Sequence, residues 1–498
     1  MQSLTTSKKA NTYGKHKIID PTKPHLLDSP AVINLNISAQ QKNGEIMFKK
    51  ILTTSYLLLI ALISNAQLQS PNEFLPHKLG EHFTPHYMVV DYFQHAAENS
   101  PHMQLIEYGK TNQKRLLTLA FISTEENLAN LEKIRQNNIR MTGLEQGEVD
   151  NSNPVAIVWM SFGVHGNEAA ASESSMSGLY ELLTKPEAKE WLKNAVVIID
   201  PSVNPDGYSR YTHWNRNIGN KHADPHLDAR EHSEPWPGGR VNHYLFDLNR
   251  DWLPTQHPSS QGRIRNFHKW KPNILTDHHE MGSNSTFFFQ PGIPTRTNPL
   301  TPNENQVLTA EIGTYHAAGL DEIGSLYYSQ ESFDDYYYGK GSTYPDVNGA
   351  VGILFEQGSS RGHLQSTSNG DLSFPFTIRN QVATALSTQK AAFNMREKML
   401  DYQRRFFSTA MEDARKDNSK AYVFSENHDG TRLAEFLELL NRHEVEVYEL
   451  KNNVRAEGKS FSAGKTSFIV PLEQKQYRLI KGMFEKVTTF QDSLFYDV

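Results

Sequence analysis

The sequence predicts an α/β fold: a mixed, mostly parallel central sheet flanked by helices, with a small C-terminal α/β unit. Three observations lead there. Apolar strand-like runs alternate with helix-prone stretches along most of the chain. Runs such as Val196-Val-Ile-Ile-Asp200 are continuously apolar, as strands covered on both faces must be. Ionisable residues sit where such runs end, at His165, at Asp277-His278-His279 and at Glu356, and open α/β sheets bind ligands at the carboxyl ends of their strands.

The elements follow in order. Residues 87–99 read as a helix after His82-Phe-Thr-Pro-His86. Leu105-Ile-Glu-Tyr-Gly and Leu116-Leu-Thr-Leu-Ala-Phe-Ile are strands by alternation and β-branched content. Residues 127–136 are helical. Residues 155–162 form a strand that runs through a loop into a helix-prone stretch from Ala169 to Leu183. After Val196–Asp200 comes a turn, Pro201-Ser-Val-Asn-Pro-Asp-Gly-Tyr208. Residues 209–246, polar and rich in Gly, Pro, His and Trp, read as a long functional loop. Ile274-Leu-Thr-Asp-His-His and Ala350-Val-Gly-Ile-Leu-Phe-Glu356 are further strand ends that carry ionisable residues. A long helix over 377–416 closes the domain. The pattern then restarts, with strands at 422–424, 445–450 and 467–471 and helices at 431–443 and 474–484.

The predicted organisation is therefore 67–416 as a catalytic domain and 417–498 as a small α/β unit, read as a truncated piece. Residues 1–46, polar and aperiodic, are read as an upstream segment of doubtful meaning. Residues 47–66 have the build of a signal peptide: Lys49-Lys50, an apolar run from Ile51 to Ile63, and small residues before a cut after Ala66. The run is too short for an ordinary membrane span, which needs about 18 residues. With no cysteine in the chain, a lipid anchor at that cut is excluded. The expectation is an exported protein, secreted or periplasmic, with no stable membrane anchor after cleavage.

Composition narrows the chemistry. The 498-residue chain is 38 % hydrophobic with a net charge of −6, which gives no reason to expect nucleic acid. Without cysteine there are no disulfides, thiolate metal sites or Cys nucleophiles, so any metal must be held by His, Asp or Glu. His165-Gly-Asn-Glu168 offers two such groups at the end of a buried-type strand, and His278 or His279 offers a third. A His₂Glu set suits a zinc site with a position left open for water. Alone, a His-x-x-Glu pair is a weak signal. Neighbours on a strand point to opposite faces, so only one histidine of the 278–279 pair reaches the site.

Five stretches in order resemble the zinc carboxypeptidases of the M14 (carboxypeptidase A-like, funnelin) family, over roughly residues 75 to 400. They are His165-Gly-Asn-Glu168, Asn204-Pro-Asp-Gly-Tyr208, Asp247-Leu-Asn-Arg-Asp-Trp252, Asp277-His-His-Glu280 and Phe355-Glu356. The resemblance implies His165, Glu168 and His279 as ligands of one Zn2+, with His278 the rival third ligand, and Asp247 as the carboxylate that orients His165. It implies Glu356 as general base, and Asn249 with Arg250 as the clamp for a substrate's terminal carboxylate. Arg216 is the best match for the family's oxyanion arginine, with Arg210 its rival. For the closing tyrosine, the stretch Tyr336-Tyr-Tyr338 to Tyr344 offers several candidates, represented by Tyr336. The function so implied is a metallocarboxypeptidase acting on peptide or protein C-termini. A zinc amidase or deacylase on small acyl-amino acids or cell-wall peptides would keep the site and change the substrate. A non-catalytic binding protein of the same fold would have lost a ligand or the base, and this chain keeps both.

Overall fold

The computed structural model describes residues 67–220 and 222–487. The expected upstream segment 1–46 and signal peptide 47–66 lie outside the described residues. From Gln67 onward the chain forms one unit.

Its centre is a seven-stranded sheet in the order β1-β2-β4-β3-β5-β7-β6. The strands are β1 (Met103–Lys110), β2 (Leu116–Ile122), β3 (Ala156–Phe162), β4 (Ala195–Asp200), β5 (Ile274–Met281), β6 (Phe287–Phe289) and β7 (Val351–Gly358). The four inner strands β4, β3, β5 and β7 run parallel, while β1, β2 and β6 join antiparallel at the edges. The sheet is thus mixed, with the parallel part where both faces are covered, as the continuously apolar runs required.

Alternation sorts the side chains into two cores. Val158, Met160 and Phe162 of β3 point to one face, where helices Ala169–Thr184 and Phe374–Lys416 pack. Ile157 and Trp159 point to the other, beneath Ile264, Phe267 and Trp270 of helix Pro258–Trp270. Burying one such side chain contributes about 1.5–3 kcal/mol, so this double-sided packing is the main reason the strand ends stand still.

The last part of the chain adds a three-stranded antiparallel sheet of Ala421–Ser425, Gly464–Pro471 and Tyr448–Leu450. Val470, Leu472, Leu479 and Ile480 join the core under helix Pro258–Trp270. His443 is fixed from both sides: Tyr344 Oη lies 2.6 Å from its Nδ1 and the Leu253 carbonyl 2.8 Å from its Nε2.

The expected strand 445–450 is strand only over Tyr448–Leu450, helices Pro258–Trp270 and Asn303–Glu322 lie where no element was expected, and one stretch near the site was expected otherwise. Residues 205–218 are helical, whereas the turn at 201–208 and the polar stretch after it were expected as loop. Asn204 caps this helix by accepting from Gly207 N (3.0 Å), and Pro205 occupies its first turn. Its buried face is Tyr208, Tyr211, Thr212 and Asn215, at helical spacing but half polar, so hydrophobic periodicity does not reveal it.

Candidate metal centre and active site

The carboxyl ends of β3, β5 and β7 lie side by side. Strand β3 ends at Phe162, and its loop delivers His165 and then Glu168, which stands at the N-cap of helix Ala169–Thr184. Gly166 is required here: a Cβ on it would lie 2.0 Å from Tyr208 N. The strand-end loop therefore packs directly on the start of helix Pro205–Ile218, and no other residue fits.

On β5, alternation separates the two adjacent histidines. His278 points into the first core, stacked on Phe162 at 4.1 Å with its Nδ1 2.7 Å from Gln381 Oε1. Burial pushes its pKa down to about 4, as expected of a packed neutral ring. His279 points the other way, into the site.

His165, Glu168 and His279 are all buried, and ligating atoms from the three lie within 4.8 Å of one another. His165 Nδ1 is 2.7 Å from Glu168 Oε1, and His279 Nδ1 is 2.9 Å from Glu168 Oε2 and 3.1 Å from His165 Nδ1. The remaining ring nitrogens face carboxylates: His165 Nε2 lies 3.1 Å from Asp247 Oδ1, and His279 Nε2 lies 2.8 Å from Asp277 Oδ2. Burial alone would lower both histidines, but Glu168 and the two aspartates outweigh it and hold both above the ordinary value. Burial works to raise Glu168, yet the flanking histidines hold it far below the usual carboxylate range.

This donor set fits zinc. Two imidazoles and a carboxylate converge, and each imidazole is turned by a carboxylate behind it, the arrangement that fixes tautomer and ring orientation in metal-binding histidines.

Glu356 sits on β7 directly opposite His279 in the parallel register. Burial, with the negative charge of Glu168, raises its pKa, against the pull of His279. Such a carboxyl can both take and return a proton near neutrality.

The other expected residues fall less simply. Asp247 accepts from Asn249 N (2.8 Å) and from Arg240 Nη2 (2.9 Å) as well as meeting His165. Asn249 is buried, with its amide 3.1 Å from His279 Nε2 and its oxygen accepting from Gly341 N at 2.8 Å, so its side chain is already engaged. Arg250 is partly exposed and donates to the Asn249 carbonyl (3.1 Å). Tyr338 and Tyr344 are buried and bonded elsewhere, to Thr301 and to His268 and His443, which removes them as closing residues. Tyr336 and Tyr337 are partly exposed, and Tyr337 feels the charge of Arg250.

Arg216 is a correction. It lies in the last turn of helix Pro205–Ile218, exposed, with its guanidinium donating to the Phe83 carbonyl (3.2 Å). Its rival Arg210 holds loop carbonyls, donating to Gly238 O (2.6 Å) and Asn242 O (3.0 Å). The arginine at the metal centre is Arg240, 3.7 Å from Glu168 Oε1 and paired with Asp247. Arg210 thus clamps the backbone on both sides of it. The signal for Arg240 was the Gly-Gly-Arg run: a Cβ on Gly239 would meet Tyr211 Cβ at 2.7 Å and Gly207 O at 2.8 Å, so that backbone lies tight on the site's helix.

Fold and site together define a candidate metallohydrolase. Residues 89–285 match the family model for zinc carboxypeptidases, peptidase M14. Over 134 residues, 26 % of this chain, the sequence is 27 % identical to a "Probable carboxypeptidase 2" of Trichophyton verrucosum (strain HKI 0517) and 28 % identical to a carboxypeptidase 2 of Trichophyton rubrum. The matches cover 20 % and 19 % of those proteins, so the chain spans about a fifth of the length of the curated relatives it matches. Among solved structures, a metallo-carboxypeptidase from Burkholderia cenocepacia is 14 % identical, covering 61 % of this chain and 68 % of that one, with a TM-score of 0.43. Carboxypeptidase A from Helicoverpa armigera is 15 % identical, covering 70 % and 82 %, also with a TM-score of 0.43.

Proposed function

We propose that the protein is an exported zinc metallocarboxypeptidase that removes residues from peptide C-termini. The observation that carries this reading is the convergence of His165, Glu168 and His279 beside Glu356, with a carboxylate behind each histidine. A zinc ion held by these three residues would supply Lewis-acid activation of water and of the scissile carbonyl. Glu356 takes the proton from the attacking water and delivers it to the leaving amine. Arg240, at the rim beside Glu168, offers its guanidinium to the developing oxyanion. Arg250 receives the substrate's terminal carboxylate, for which a guanidinium fork is suited. Asn249 accepts from the Gly341 backbone beside His279 and leaves that capture to Arg250.

The engagement of Asn249 also gives the amidase reading its one specific support, since only half of the expected carboxylate clamp is unengaged. Metal analysis of the purified chain, with a C-terminal peptide-ladder assay with and without chelator, tests the proposal. Stoichiometric zinc and chelator-sensitive removal of single C-terminal residues are expected. Equal cleavage of amidated and free peptides would overturn the carboxypeptidase reading in favour of the amidase.

Export belongs to the same proposal and rests on the Lys49-Lys50, apolar and small-residue pattern of residues 47–66. N-terminal sequencing of the mature protein should begin at Gln67.

A further inference from the structure

Below the candidate metal centre, on the face away from His278, lies a buried polar layer of which the proposed reaction uses only Asp277. The parallel register sets Asp200, Ser161 and Asp277 side by side across β4, β3 and β5. By alternation all three point to the face that carries Trp159, Ile198 and Leu275. Helix Pro258–Trp270 places Arg263 against this row, fully buried at 0 % exposure.

The guanidinium packs over the Trp252 ring at 4.1 Å and donates from Nη2 to the Leu248 carbonyl at 3.2 Å. Its Nε and Nη1, Asp277 Oδ1, Asp200 Oδ1 and Ser161 Oγ have no hydrogen-bond partner among the described residues, while Asp277 Oδ2 faces His279 Nε2. The carboxylates whose charge acts on Arg263 are those of Asp200, Asp277 and Asp251. A buried cation is kept only where opposite charges compensate it, and buried carboxylates need a cation as much.

Two connections run from this arginine to the metal centre. Asp277 lies 2.8 Å behind His279. Leu248 begins the short turn Leu248–Arg250, capped by Asp247, which stands behind His165, and followed by Asn249, which touches His279. One side chain therefore acts on the carboxylate behind His279 and on the turn capped by the carboxylate behind His165.

We infer that Arg263 is a positioning residue for both histidine ligands, its charge holding Asp277 behind His279 and its one hydrogen bond to the Leu248 carbonyl holding the turn that Asp247 caps. This rests on the zinc reading of the site. It acts through other groups, so its effect should appear in metal affinity of the resting protein.

The test measures zinc affinity of the full chain by competition with a chromophoric chelator, alongside KM for a peptide at saturating zinc. Arg263→Gln should bind zinc about 10–100-fold more weakly with KM unchanged, as removal of outer partners of metal ligands does. Arg263→Lys, which keeps the charge, should stay within about three-fold of the parent. An Arg263→Gln protein within about two-fold of the parent, or an Arg263→Lys protein as weak as Arg263→Gln, overturns the inference. If Arg263→Gln does not fold, Asp277→Asn decides: the same 10–100-fold loss is expected, and affinity within about two-fold of the parent overturns it. Parent protein that binds no zinc, or a His165→Ala variant that binds it equally, instead removes the metal reading, and the inference falls with it.

Discussion

Replacing Asp247 separates what the metal centre owes to its ligands from what it owes to their supports. Its Oδ1 lies 3.1 Å from His165 Nε2 and accepts from Asn249 N at 2.8 Å, while Oδ2 takes Arg240 Nη2 at 2.9 Å. Asp247→Ala removes all three contacts. Loss of the group behind a ligating histidine typically lowers metal affinity about 10–100-fold, which corresponds to roughly 1.4–2.7 kcal/mol. Loss of the cap on the Leu248–Arg250 turn should cost about 1 kcal/mol of folding stability in addition. Asp247→Asn separates the two effects. It retains an oxygen for Asn249 N, so the metal-free protein should unfold at the parent's urea midpoint, while zinc affinity still falls because the charge facing His165 is gone. The assay is chelator competition for zinc, paired with urea unfolding of the metal-free chain. Asp247→Ala that binds zinc within about two-fold of the parent would refute the reasoning, because His165 would then not depend on the carboxylate behind it.

Three further outcomes are expected. Glu356→Gln should keep its zinc and lose about 10²–10⁴-fold in kcat, and normal turnover with zinc bound would remove Glu356 from the proton path. Arg240→Ala should lower kcat/KM by about 10²–10³-fold while Arg216→Ala leaves it near the parent value; the reverse order would restore Arg216 to the site. Burial holds His443 at about 4 when folded, with Arg442 adding to the effect, against 6.5 for an unhindered ring. The unfolded chain therefore binds a proton that the native state refuses. Stability falls as pH drops from 6.5 towards 4, by about 3 kcal/mol from this residue. His443→Asn should flatten that acid limb in urea titrations between pH 7 and 4, and an unchanged limb would count against it.

Much of the centre was legible because it is local. His165 and Glu168 are three residues apart at the end of one apolar strand, and a short loop can bring them to one ion however the rest of the chain folds. The strands were legible for a similar reason: an inner parallel strand must be apolar on both faces, and that leaves an unbroken run. Helix Pro205–Ile218 was hidden because its buried face uses Thr212 and Asn215. Arg216 was misplaced because sequence order within a motif says nothing about which way an exposed arginine turns, and its helix carries it to the Phe83 carbonyl.

By itself, the sequence determined the class of fold, the chemistry available without cysteine, and the residue types of a His₂Glu cluster with a carboxylate beside it. The tertiary structure decided the partnerships between distant segments. It set Glu356 opposite His279 through sheet register, brought Arg240 over from a loop clamped by Arg210, and engaged Asn249 behind a histidine. It also laid the last segment of the chain onto the second face of the sheet. These depend on register, helix direction and the packing of two cores, which no local stretch of residues encodes.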